Sequence, residues 1–417
     1  MGASKGIKQA VILAGGLGTR LMPLTKNTPK PMVLVNNRPF LEYLISLLRD
    51  NGIEEIVLLL GYLAGKVQKH FRDGSGFGVK IKYSVSSVST ETGKRIKKAA
   101  KLLDDTFLLM YCDNYWQLNL REMMEFYISK NKKYMMTVYS NSLGITKNNV
   151  LVSKDGIVLK YDKERKDKGL NGVDIGFFIL KKDILKLMPS SNLSFEKMIT
   201  PKLIKKRELA AYTTNIRYYS VSTVEKLKLT EEFLRPKKIA LIDRDGIINK
   251  RPLKARYIRS WKQFKFLPGA IKSLGLLKRN GFRLILISNQ AGIGRGLMTE
   301  KDLKKIHENM QKALKRGNAD LDAIYCCPHS WEDNCECRKP KPGMILRAAN
   351  DLSFDVTKAV FIGDDERDIQ AGKNAGCKTI LISKGDAANS SPDMICKSLE
   401  EAAELLVNHK KYKQSAI

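Results

Sequence analysis

Two carboxylates one residue apart, Asp243 and Asp245, close the apolar run Ile239-Ala240-Leu241-Ile242 and lead into Gly246. Paired carboxylates at a strand end can serve as nucleophile and general acid–base. Three further pieces follow. Ser288-Asn289-Gln290 ends a second apolar run, Lys339 stands in Arg338-Lys339-Pro340-Lys341-Pro342-Gly343, and Gly363-Asp364-Asp365-Glu366-Arg367-Asp368 ends a third run. Acidic residues at strand ends can also be plain helix caps, but four such pieces in register favour chemistry. Between the second and third pieces lie Cys327-Pro328-His329 and Cys335-Glu336-Cys337. A Cys-x-His plus Cys-x-Cys set suits a closed tetrahedral zinc site with no position left for substrate, so such a metal is structural; a redox or disulfide role is the other reading.

A second set of residues sits near the N-terminus. Leu13-Ala14-Gly15-Gly16-Leu17-Gly18-Thr19-Arg20-Leu21 follows an apolar strand at once. Glycines there let backbone N–H groups approach phosphate, and Arg20 adds a forked cation. No Gly-Lys-Ser/Thr follows, so this is not a Walker A loop. Asp113 ends Leu108-Leu109-Met110-Tyr111-Cys112, where a lone Asp is either a turn former or a hard ligand for magnesium.

The elements that must position these groups alternate along the chain. Strands are expected at 9–14, 55–60, 79–85, 106–112 and 134–139, with helices at 40–51 and 63–71 and a β-rich stretch at 150–161. A charged junction, Glu231-Glu232-Phe233-Leu234-Arg235-Pro236-Lys237-Lys238, marks a domain boundary. The alternation then restarts with strands at 239–242, 282–287, 359–362 and 378–382, and helices at 269–280, 300–316 and 398–408, before a fraying tail at 410–417. The pattern predicts two α/β domains, 1–234 and 237–417, each a mostly parallel sheet covered by helices.

With Pro23-Leu24-Thr25 and Thr28-Pro29-Lys30-Pro31-Met32 added, the glycine segment resembles the signature of sugar-1-phosphate nucleotidyltransferases over roughly the first 230 residues. The resemblance implies a Rossmann-like three-layer αβα fold and a nucleoside triphosphate held by Gly15, Gly16, Gly18 and Thr19. It further implies charge stabilisation by Arg20 and Lys30, and magnesium on Asp113. Lys163 in Tyr161-Asp162-Lys163 is similar to the family's Glu-Lys pair that holds the sugar phosphate, with Asp162 in place of Glu; a solvated lysine is the alternative. Glu91-Thr92-Gly93-Lys94-Arg95-Ile96 is closer to the Thr-Gly-Gly-Arg-Ile pattern of cytidylyltransferase relatives, which leaves the nucleobase open. Tyr219-Ser220-Val221-Ser222-Thr223 stands where relatives have an Asp-Ile-Gly-Thr type segment with a second metal-binding aspartate; Asp174 is a possible substitute or a sugar contact.

The four C-terminal pieces resemble the motifs of the haloacid dehalogenase superfamily, over roughly residues 237 to 388. The resemblance implies a second three-layer αβα domain in which Asp243 attacks phosphorus and Asp245 carries the proton. Magnesium is then held by Asp243, Asp364 and the backbone carbonyl of Asp245, while Ser288 and Lys339 hold phosphate oxygens. The zinc set, Cys327, His329, Cys335 and Cys337, would pin a loop over that site; the family pattern omits Cys326. Together with Asn289 and Arg338, expected at the substrate, these pieces resemble D-glycero-D-manno-heptose 1,7-bisphosphate phosphatases, and histidinol-phosphate phosphatases share the zinc pattern.

The formal net charge is +31, yet Lys and Arg are scattered over both halves, which argues against a specific nucleic-acid partner and is compatible with anionic substrates. No apolar run long enough to cross a membrane and no secretory signal pattern is present, so a cytoplasmic location is expected. Joined, the two resemblances imply a bifunctional enzyme of sugar-nucleotide synthesis. Its phosphatase would make a heptose 1-phosphate, and its transferase would couple that product to GTP or ATP. The alternative is another sugar or histidinol-type phosphatase beside a transferase domain that only binds ligand.

Overall fold

The computed structural model describes residues 6–142, 144–253, 256–383 and 391–408. The chain divides into two compact units, Met1–Leu234 and Arg235–Ile417.

The first unit is built on seven strands: β1 (Gln9–Ala14), β2 (Glu55–Leu60), β3 (Lys80–Val85), β4 (Thr106–Tyr111), β5 (Tyr134–Tyr139), β6 (Val173–Lys181) and β7 (Leu209–Thr214). They lie in the order β7-β5-β6-β4-β1-β2-β3. Successive side chains on a strand point to opposite faces, so a strand buried on both sides feeds two cores. Accordingly Ala10, Ile12 and Ala14 join one core, while Val11 and Leu13 join the other. Helix α1 (Phe40–Asp50) covers the first with Phe40, Leu41, Leu44, Ile45 and Leu48, at the i, i+4 spacing of a helical stripe. Helix α2 is Ala64–Phe71. Helix α3 (Thr92–Lys98) covers the other face through Ile96, and α4 (Leu120–Lys130) returns to the first through Leu120, Met123 and Tyr127. Helices α5 (Thr200–Lys205) and α6 (Val224–Leu234) complete the unit.

One strand departs from the expected parallel pattern. β6 pairs antiparallel with both β4 and β5, in the middle of the sheet. β1 is parallel to its neighbours β2 and β4, and strand order reverses there. Ligands of open α/β sheets bind at that reversal, beyond the strands' carboxyl ends.

Among the described residues the sheet of the second unit has six strands, all parallel: β8 (Lys238–Ile242), β9 (Phe282–Asn289), β10 (Ala323–Cys327), β11 (Ala359–Gly363), β12 (Lys378–Ile382) and β13 (Met394–Cys396), ordered β10-β9-β8-β11-β12-β13. Counted from β8, this is the doubly wound order, with its switch point between β8 and β11. Helices α7 (Ala270–Arg279), α8 (Glu300–Arg316) and α11 (Leu399–Val407) cover one face, and α9 (Gly343–Asp351) and α10 (Glu366–Ala375) the other. α8 starts at a capping box, Thr299 with Asp302, which satisfies two otherwise orphaned N–H groups. The tail expected to fray at 410–417 lies outside the described residues.

Candidate active sites

At the switch point of the second unit, β8 delivers Asp243 and Asp245, and β11 delivers Asp364. Lys339 is buried between them. Its ammonium lies 2.7 Å from Asp243 Oδ1 and 2.6 Å from Asp368 Oδ1, and donates to the Ile287 carbonyl at 3.0 Å. Burial pushes Asp243 up to about 7 against the pull of Lys339, with Asp368 and Asp245 adding to the rise. Burial likewise raises Asp364 to about 6, opposed by Arg251. Carboxylate oxygens of Asp243, Asp364 and Asp368 lie within 4.8 Å of one another. Asp364 Oδ1 is buried and has no hydrogen-bond partner among the described residues. Three crowded carboxylates with an orphaned oxygen fit a hard divalent cation. Asp368, quoted in the fourth motif without a role, is thus a member of the group. Gly246, at φ +98°, is required here, since a Cβ would fall 1.8 Å from Asp364 Oδ2.

The Asp245 side chain is outside that group. Its Oδ1 accepts from Asn249 at 2.8 Å, its Oδ2 from Gln290 at 3.1 Å, and both from Arg244. Ser288, buried, accepts from Gln290 at 2.8 Å. Asn289, expected at the substrate, holds the Lys339 backbone instead. Its Oδ1 accepts from Lys339 N–H and its amide donates to the Lys339 carbonyl, both at 3.1 Å. Arg338 is bound to the His329 carbonyl at 3.2 Å.

Beside this site, Cys327, His329, Cys335 and Cys337 converge. The Sγ atom of Cys337 is 3.3 Å from that of Cys327 and 3.4 Å from that of Cys335, Cys327 and Cys335 are 3.6 Å apart, and His329 Nδ1 is 3.2 Å from Cys337. Tetrahedral thiolate ligands about 2.3 Å from a metal stand roughly 3.8 Å apart, so the four donors outline a slightly contracted coordination shell. Cys326 lies outside this set and lines a separate cavity with Leu303 and His307 of α8.

In the first unit, a cavity of about 450 Å³ opens where strand order reverses, lined by Gly15, Gly16, Gly18, Thr19, Arg20 and Asp113 among others. Lys30 reaches Asp113 Oδ2 at 2.5 Å. The floor is Arg95, whose guanidinium donates to backbone carbonyls of Thr90 (2.8 Å), Leu60 (2.6 Å), Gly15 (3.3 Å), Ser87 (2.8 Å) and Val88 (3.2 Å). Gly15 permits this, since a Cβ there would lie 2.3 Å from Arg95 Cζ.

Lys163 pairs with Glu196 at 3.8 Å. Asp162, read as its acidic companion, accepts from the N–H groups of Glu164, Lys166 and Asp167 and so closes its own turn. Glu196 is a buried hub that also accepts from Tyr111, from Thr92 at 2.9 Å and from Ser194 at 2.5 Å. It carries no motif that sequence reasoning could have used. Asp174, partly buried near Tyr161 and Glu196, has its carboxyl taken out of solvent and is raised to about 7 by that desolvation. Ser220 and Ser222 bond each other at 2.9 Å, and the next N–H, of Val221, donates to the Asp113 carbonyl. Among the described residues no three His, Cys, Asp or Glu side chains converge in this unit. The Ser220 segment therefore lies beside Asp113 but brings no second carboxylate.

Comparison with known proteins agrees with this division. A nucleotidyl transferase family model matches residues 9–219, and a HAD-hydrolase-like model matches 336–402. The D-glycero-beta-D-manno-heptose-1,7-bisphosphate 7-phosphatase of Pasteurella multocida is 40% identical over 156 residues, 36% of this chain and 83% of that protein. The crystal structure of D,D-heptose 1,7-bisphosphate phosphatase from B. bronchiseptica, complexed with magnesium and phosphate, is 31% identical, with a TM-score of 0.38, over 41% of this chain and 99% of that one. HddC from Yersinia pseudotuberculosis is 26% identical, with a TM-score of 0.47, over 54% of this chain and 99% of that one. The chain belongs to the nucleotidyl transferase family through its first half and, through its second, to the HAD-type phosphatase family of these relatives. It is an enzyme with a transferase and a hydrolase in one polypeptide.

Proposed function

We propose that residues 237–417 remove the C7 phosphate of D-glycero-D-manno-heptose 1,7-bisphosphate, and that residues 1–234 couple the resulting heptose 1-phosphate to a nucleoside triphosphate, GTP or ATP, releasing pyrophosphate. The observation that carries this reading is the pairing itself. One chain joins a phosphatase whose relatives are named for a sugar bisphosphate to a transferase whose family resemblance is to users of sugar 1-phosphates. Such chemistry belongs in the cytoplasm, where nucleoside triphosphates are made, and among the described residues no helix is long and apolar enough to cross a membrane.

In the phosphatase, Asp243 attacks phosphorus to form an aspartyl phosphate as the bond to the C7 oxygen breaks, and Asp245, held as a carboxylate by Arg244, Asn249 and Gln290, relays a proton taken from solvent to the departing alkoxide. The Asp245 carboxylate then takes a proton from the water that hydrolyses the intermediate. Lys339 and Ser288 hold phosphate oxygens, Asn289 fixes the Lys339 backbone, and Arg338 stands at the substrate side of the zinc loop. Asp243, Asp364 and Asp368, with the Asp245 carbonyl, would hold magnesium, which supplies charge neutralisation between an anionic nucleophile and an anionic phosphate. Cys327, His329, Cys335 and Cys337 would hold one structural zinc.

In the transferase, a sugar-phosphate oxygen attacks the α-phosphorus and pyrophosphate leaves. The N–H groups of Gly15, Gly16, Gly18 and Thr19 face the phosphates, and Arg20 and Lys30 offset the developing charge. Asp113 would be the sole carboxylate for magnesium, and Lys163, set by Glu196, meets the sugar phosphate.

Incubation of the full chain with heptose 1,7-bisphosphate, magnesium and each nucleoside triphosphate tests the scheme, with products followed by mass spectrometry. Phosphate should appear before pyrophosphate. Asp243→Asn should block pyrophosphate release from the bisphosphate but not from heptose 1-phosphate, while Arg20→Ala or Lys30→Ala should harm only nucleotidyl transfer. Equal activation of the bisphosphate by the Asn variant would overturn the sequence of steps. Absence of pyrophosphate release from every sugar phosphate would leave the first unit a binding module.

A further inference from the structure

Arg244 lies between two catalytic carboxylates in sequence, yet its side chain is turned into the protein, 1% exposed. A buried guanidinium needs fixed partners. Nη2 donates to Asp245 Oδ1 at 3.1 Å and Oδ2 at 2.9 Å, and Nη1 lies 3.2 Å from His307 Nε2. Nε has no partner, so among the described residues His307 is the one hydrogen-bonding anchor of Arg244 besides Asp245 itself.

His307 comes from α8, on the buried stripe Leu303, Ile306, His307, Met310 and Leu314. Its place is therefore set by packing along a capped helix of 17 residues rather than by a loop. Arginine has no acceptor, so Nε2 must present its lone pair to the guanidinium, and the ring is neutral with its proton on Nδ1. Burial, and then the charge of Arg244, keep it so, pushing His307 down to about 3.

We propose that His307 is a positioning residue of the phosphatase, holding Nη1 of Arg244 so that Nη2 stays across the two oxygens of Asp245 and fixes that carboxylate for proton transfer. The proposal rests on the reading of Asp245 as the proton carrier. Asn249 and Gln290 each hold one oxygen of Asp245, and Nη2 of Arg244 lies across both, so the three donors together hold the carboxylate in place. Without His307, the guanidinium keeps its bond to Asp245 and loses the anchor that orients it.

The test compares leaving groups. An alkoxide must be protonated as its O–P bond breaks, whereas 4-nitrophenolate leaves without a proton. kcat/KM, which reports steps through leaving-group departure, is measured for a sugar phosphate and for 4-nitrophenyl phosphate in wild type, His307→Leu, His307→Gln and Asp245→Asn, with thermal midpoints as a folding control. General acid catalysis is worth about 10²- to 10⁴-fold, and misplacing the acid forfeits part of it. We expect His307→Leu to lower the alkyl-to-aryl ratio by about tenfold or more. His307→Gln, whose amide oxygen can accept from Arg244, should restore most of it. An unchanged ratio in a folded His307→Leu, or a Gln variant no better than Leu, overturns the proposal. An unchanged ratio in Asp245→Asn as well would instead remove the proton-carrier reading beneath it.

Discussion

Acidification should destabilise the second unit through a single imidazole. His307 titrates at 6.5 in an ordinary environment and at about 3 where it is buried against Arg244. The folded value lies below the unfolded one, so the unfolded chain binds the extra proton. Stability is full above 6.5 and falls as pH drops through the window down to about 3. Each pH unit below 6.5 costs about 1.4 kcal/mol, so about pH 5 brings a loss of roughly 2 kcal/mol relative to about pH 7.5. Asp243 and Asp364, raised by burial, act in the opposite sense, so wild type alone would not isolate the imidazole. The comparison is with His307→Gln, by urea unfolding at both pH values. In a Trp116→Phe background the fluorescence comes only from Trp261 and Trp331, both in the second unit. The pH-dependent loss in wild type should exceed that in the Gln variant by roughly 2 kcal/mol. Equal losses would mean that His307 is free to protonate in the folded protein, and the neutral-acceptor geometry would be refuted.

Asp174 carries the reverse sign. Burial lifts it to about 7, above its unfolded value of 3.8, so ionisation opposes folding and stability declines as pH rises between the two. Asp174→Asn should stabilise the first unit at about pH 8 by on the order of 4 kcal/mol and flatten its pH profile in denaturant titrations; an unchanged slope would contradict the burial. Metal analysis should find about one tightly held zinc per chain. Cys335→Ser should lose it and lower the thermal midpoint of the second unit, and full zinc in that variant would reject the ligand set.

Strand positions were readable where an apolar run had a clear boundary. β1, β2, β5 and β12 coincide with expectation because each is bracketed by polar or glycine residues. β6 is not among the expected strands, although Asp174 within it is a candidate site residue. Its antiparallel insertion between β4 and β5 is a tertiary choice that alternating strands and helices do not announce. β10 escaped because Ala323, Ile324, Tyr325 and Cys326 are only partly buried, with no alternation to mark a strand. In the sites, groups in contiguous motifs came together, as Asp243, Lys339 and Asp364 do. Groups joined only through packing did not announce themselves. Glu196 reaches Lys163 from 33 residues further along the chain, on an irregular turn, and His307 looked like any residue of an amphipathic helix. Asn289 shows the other limit, since a motif names a residue but not which way its amide faces.

Arg95 ties together the carboxyl ends of three neighbouring strands, at Gly15, at Leu60 and at the loop 87–90, where the β1–β2 and β2–β3 ladders run out. Its charge is met there by carbonyl dipoles, which satisfy the donors without cancelling the field. The three walls of the cavity are consequently tied to one another, and part of their conformational freedom is already surrendered when the domain folds. On the proposed reading of this cavity, a triphosphate would meet walls already joined, with Arg20 and Lys30 among the residues that line them, so less ordering is left to the moment of binding.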